Sequence, residues 1–159
     1  MAIKHHLTDD LLMAYAAGNL SEAFSLAVAT HISLCDDCRA ALSAYEAMGG
    51  AILDGGDDLA PMSDDALARA MARLDMPAPP AAPKMPKHAV LPAPLQHYVG
   101  TDLSAIKWRK LGMGVRQAIL PTNGKGSARL LHIPAGQAVP DHGHRGMELT
   151  LVLKGAFMA

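Results

Sequence analysis

Seven of the chain's eleven prolines fall in one stretch, "MPAPPAAPKMPKHAVLPAP" at residues 76–94, and that stretch limits the fold more than any other feature. Proline fixes φ and removes a backbone donor, so such a run favours extended polyproline conformations without a core of its own. It reads as a linker over 77–94, between one unit at 1–76 and another at 95–159. Half of the 159 residues are apolar, enough for two small cores of ordinary density.

Charge divides at the same place. Residues 1–76 carry four basic side chains against twelve acidic ones, a net of −8, and residues 77–159 carry ten against three, a net of +7. An acidic unit is steered towards a basic partner surface and away from nucleic acid, so direct nucleic-acid binding by the first unit is not expected. The opening "MAIKHHLTDDLLMAYAAGNL" has one brief apolar stretch behind Asp9 and Asp10, too short and too acidic for a secretory leader or a membrane span. The expected setting is the cytoplasm, with no membrane contact.

The first unit has helical periodicity. Thr8 caps a predicted helix over 9–17, with Leu7 and Leu12 as a hydrophobic staple and Gly18 as its stop. Asn19 and Glu22 open a second, whose apolar stripe is Leu20, Ala23, Phe24, Ala27, Val28 and His31. A third is expected over 36–48 with Leu42 and Tyr45 inward, and "GGAILDGGDD" at 49–58 interrupts the unit before an amphipathic helix, "SDDALARAMARLD", at 63–75. Three short helices make a thin core, near the size at which a metal or a partner is needed to hold a fold.

Both cysteines lie in "HISLCDDC" at 31–38. A Cys-x2-Cys pair at a helix start directs two sulfurs at one point, and the exposed N–H groups there favour the thiolate that a metal requires. His31, one turn earlier, supplies a third donor. Structural zinc takes four, and the remaining soft donors nearby are His5 and His6, of which His6 is preferred with His5 in reserve. A site closed by four protein ligands leaves no position for substrate, so a structural metal is expected rather than a catalytic one. Zinc-bound thiolates stay oxidisable, which leaves a redox role for Cys35 and Cys38 open.

An N-terminal histidine followed by His-x3-Cys-x2-Cys in a small acidic helical unit resembles the zinc-binding anti-sigma family over residues 1–76, and most closely its ChrR-type members, in which a cupin follows. The resemblance implies zinc held by His6, His31, Cys35 and Cys38, and a partner of the extracytoplasmic-function sigma group, kept from RNA polymerase and promoter DNA. It also implies release by a cellular stress, oxidative and involving singlet oxygen. The helix at 63–75, with Leu67, Ala70, Met71 and Leu74 on one face, corresponds to an additional helix laid against sigma, as a helix-in-groove contact would require.

The second unit changes period. "VRQAIL" at 115–120, "SARLLHI" at 127–133 and "ELTLVL" at 148–153 are β-type runs, and Asn123-Gly124 marks a hairpin turn between the first two. Trp108 is expected to anchor packing. Side chains alternate along a strand, so His142 and His144 share a face, and Glu148 returns from the next strand. Gly136-x5-His142-x-His144-x3-Glu148-x6-Gly155 resembles the first motif of the cupin fold, which implies a small antiparallel barrel with a second divalent metal on His142, His144 and Glu148. The second cupin motif is absent before Ala159, so the natural protein is expected to continue. The expected fold class is therefore multi-domain α + β: a zinc-stabilised helical unit of three or four helices, a linker and an incomplete cupin barrel. The expected function is sequestration of a sigma factor, not catalysis; the alternative is a metal-dependent cupin oxygenase or isomerase with a zinc appendage.

Overall fold

The computed structural model describes residues 3–56, 60–78, 80, 91–137 and 146–156. Among them are five α-helices and one three-stranded antiparallel sheet. Helix α1 (Asp9–Ala16) begins where the sequence placed it: the Thr8 hydroxyl accepts from the Leu11 N–H at 3.4 Å, and Asp9 and Asp10 sit in the positive first turn. Gly18, at φ +69°, turns the chain after it, a left-handed conformation that glycine adopts without steric cost.

Helix α2 (Glu22–Ile32) departs from expectation at both its start and its faces. Ser21, not Asn19, occupies the cap position and makes no side-chain cap bond. Its buried residues are Ala23, Leu26, Val28, Thr30 and His31, which do not form a single stripe. The reason is that α2 is covered on two sides, by α1 and α3 and, on its other flank, by α5. Leu26 belongs to a core completed by Leu91, Leu95, Ile106, Ala118 and Leu120, all from the second half of the chain. Thr30 is accommodated in this double burial because its hydroxyl donates to the Leu26 carbonyl at 2.7 Å.

Helix α3 (Asp36–Asp54) runs past the expected end at 48, straight through Gly49 and Gly50, so the predicted break at 49–58 begins later. Together α1 and α3 enclose a small core of Leu12, Cys35, Cys38 and Leu42, flanked by Leu7, Tyr15 and Tyr45. Leu12 is 1 % exposed. Truncation to alanine would leave a void that so short a set of helices closes poorly, and Leu12→Ala is expected to cost about 2–5 kcal/mol in a denaturant titration.

Helix α4 (Ala66–Leu74) forms within the predicted amphipathic segment and buries none of its residues. Regular structure overlaps the Pro-rich stretch: Leu91 is buried and α5 (Ala93–Val99) starts inside residues 77–94. Proline explains the overlap. Pro94 lies in the first turn of α5, where its missing N–H has no partner to lose. A 3₁₀ turn, Leu103–Ala105, leads to strands β1 (Arg109–Gly112), β2 (Val115–Ile119) and β3 (Arg129–His132) in the order β1-β2-β3. The β2–β3 pairing, Gln117 opposite Leu131 and Ala118 opposite Leu130, is the hairpin expected around Asn123-Gly124. Trp108 packs on the core and meets His132 edge-on, ring centroids 6.3 Å apart. In contrast, residues 148–153 form no strand; a strand exists only as one member of a ladder, and no described segment pairs with them. No helix among the described residues is long and apolar enough to cross a membrane.

Candidate metal centre

The turn between α2 and α3 builds the site. His31 occupies the last turn of α2, and its carbonyl accepts from the Leu34 and Cys35 N–H groups, both at 2.9 Å, folding the chain back on itself. Cys35 is then the N-cap of α3 and Cys38 lies in its first turn. The Arg39 guanidinium fastens this turn, donating to the Ile32 carbonyl at 2.8 Å and pairing with Asp36. Ahead of α1, the extended segment passes over the same point: the Leu7 N–H donates to Cys38 Sγ at 3.4 Å and His6 Nδ1 lies 3.3 Å from Cys35 Sγ and 3.6 Å from Cys38 Sγ.

The result is a cluster of His6, His31, Cys35 and Cys38 whose donor atoms all lie within 4.8 Å of one another. Three of them are buried and His6 forms the exposed side. Of the two histidines of the opening segment, His6 is the one that the fold brings to the cysteines. Outside the cluster, the His6 ring stands 4.0 Å from the Asp37 carboxylate. Neither this contact nor the Leu7 amide had a sequence signal, since one is a backbone group and the other depends on how residues 3–7 cross α3.

Donor chemistry and spacing fit a tetrahedral ion. Around zinc, with Zn–S near 2.3 Å and Zn–N near 2.0 Å, neighbouring ligand atoms lie about 3.3–3.8 Å apart, the range of the His6–cysteine separations here. Nε2 of His31 is buried with no hydrogen-bond partner among the described residues, a cost that a metal bond would remove. Burial, and then the neighbouring His6 charge, hold the His31 imidazole below its ordinary pKa, which keeps it neutral and able to ligate. The Cys38 thiol is pushed up, first by burial, against the opposing effect of the Leu7 N–H. A cation reverses that balance by stabilising the thiolate directly.

The cupin-type triad has a different standing. His142 and His144 lie outside the described residues, and Glu148 is exposed, with the Thr150 hydroxyl 3.5 Å from its carboxylate.

The four-donor cluster thus lies at a helix junction in the first part of the chain, and the three-stranded sheet lies in the second. A family profile described as the ChrR cupin-like domain matches residues 96–159. Over 157 residues the chain is 59% identical to the anti-sigma-E factor ChrR of Cereibacter sphaeroides, covering 99% of this chain and 73% of that protein. It is also similar to a chain in the crystal structure of Rhodobacter sphaeroides SigE in complex with the anti-sigma ChrR, at a TM-score of 0.79 and 55% identity, covering 91% of this chain and 73% of that one. The chain belongs to the ChrR family of anti-sigma factors.

Proposed function

We propose that this protein is an anti-sigma factor that binds an extracytoplasmic-function sigma factor in the cytoplasm and denies it RNA polymerase and promoter DNA. It is a regulatory binding protein, not an enzyme. The observation that carries the reading is the convergence of His6, His31, Cys35 and Cys38 in a chain of 59% identity to a protein named for this activity. Zinc is the ion we assign to that cluster; His6, His31, Cys35 and Cys38 would hold it, and it would tie the opening segment to the α2–α3 junction. The sigma-facing surface we assign to the distal half of α3 and to α4. Met48, Ile52 and Leu53 on α3 and Leu67, Met71 and Leu74 on α4 are all more than half exposed, an apolar display that a monomer does not need. Acidic residues surround it, and a basic sigma surface would be steered to them.

Residues 1–76 form the sigma-binding unit in this reading and 95–159 the cupin-like part, with 77–94 joining them and its last residues, from Leu91, packed with the second. That part would take the stress signal, oxidative in kind, with a second divalent metal on His142, His144 and Glu148. Co-expression with candidate sigma factors tests the central claim. A one-to-one complex that no longer binds core RNA polymerase is expected; failure to retain any sigma factor of this group, by a chain that is folded and metal-loaded, would overturn it.

A further inference from the structure

Glu22, read in the sequence as the partner of a helix cap, does something else. One carboxylate oxygen accepts from the Tyr98 hydroxyl of α5 at 2.6 Å, and the other accepts from the Asn123 N–H in the β2–β3 turn. These partners are 76 and 101 residues away in sequence, and both belong to the second half. The two donors, Tyr98 first, hold the Glu22 carboxyl below its usual pKa, so at neutral pH it is a carboxylate receiving charge-assisted bonds at the positive end of α2. Beside it, Gly126 adopts φ +100°, a conformation that favours glycine, and the hairpin there lies against the first turn of α2, within van der Waals reach of Ser21 and Ala23. One turn further along, Leu26 enters the core of the second half. An open cleft of about 410 Å³ runs along this seam, walled by Tyr15, Ser25 and Ala29 on one side and His97 and Tyr98 on the other.

We propose that Glu22 is a latch across the seam between the helical unit and the cupin-like half, tying the position of that half to α2 and so to His31 at the helix's other end. The proposal rests on the function argued above, for which it supplies the route by which the second half governs sigma release. Helix α2 is the shared strut: its first turn is gripped by α5 and the hairpin, and its last turn carries a donor of the metal cluster. Letting go of Glu22 would loosen the seam, with Leu26 still in its core and the four donors in place.

Hydrogen–deuterium exchange on the metal-loaded full chain tests this, comparing wild type, Glu22→Ala, Glu22→Gln and Tyr98→Phe. In Glu22→Ala, exchange in residues 93–99 and 118–124 is expected to quicken at least tenfold, with exchange in 35–45 and zinc content unchanged. Glu22→Gln, which keeps an acceptor but not the charge, should fall between, and Tyr98→Phe, which removes one hydroxyl and keeps the ring, reports the same bond should the alanine variant fail to fold. Identical exchange in all four proteins would overturn the latch. So would loss of zinc with quickened exchange through 35–45, because Glu22 would then support the whole fold rather than the seam. A seam that loosens in a chain that binds no sigma factor supports the latch and overturns the functional reading instead.

Discussion

Serine at Cys38 is expected to yield a chain with no bound zinc, little helix in residues 1–56 and no measurable sigma binding. The core that α1 and α3 enclose contains only four buried residues, and two of them are the cysteines themselves. Structural zinc supplies about 10–16 kcal/mol of apparent binding free energy in small domains, whereas a whole domain is stable by only about 5–15 kcal/mol. Removing one of two sulfur donors therefore removes most of what opposes chain entropy. Elemental analysis, far-ultraviolet circular dichroism and a sigma titration on the same preparation give the three readouts. Native helicity with full sigma affinity in the zinc-free variant would show that the cluster is dispensable.

Aspartate at Leu67 and Met71 together is expected to have the opposite profile: unchanged folding and a large loss of affinity. The two side chains are 73% and 56% exposed and α4 buries nothing against its own chain, so the stability of the free protein should move by no more than about 0.5 kcal/mol. In a complex the same side chains would enter an apolar groove, where a buried unpaired carboxylate is costly, and binding should weaken by about a hundredfold or more, which corresponds to about 3 kcal/mol. Isothermal titration calorimetry with the sigma factor measures it. Undiminished affinity would remove α4 from the interface.

What could be read in the sequence was local. His31, Cys35 and Cys38 share one helix junction, so their spacing alone placed three donors together, and Thr8 with Asp9 and Asp10 is sufficient to start α1. The β2–β3 hairpin was legible for the same reason, since its turn chemistry lies between its strands. Long-range features were not. His6 and His5 differ only in how the opening segment crosses α3. Leu26 lies off the helical stripe and is buried by residues 91–120, a contact that no period within α2 can reveal. Strand β1, "RKLG", lacks apolar alternation and is held by its pairing with β2 across a Met113-Gly114 turn in which both residues have positive φ. "ELTLVL" has the composition of a strand but no neighbour among the described residues to pair with.

From Glu46 to its end every residue of α3 is exposed, and Gly49 and Gly50 sit in the middle of that stretch. Each glycine disfavours helix by about 1 kcal/mol relative to alanine, with no packing there to offset it. Little packing therefore holds these last turns in the free protein, and a surface that covered Met48, Ile52 and Leu53, as in the proposed complex, would order them. Part of the association energy would then be spent on ordering, which would lower affinity and hasten dissociation. On the proposed function, in which the target is released by a signal, such a soft grip would ease release.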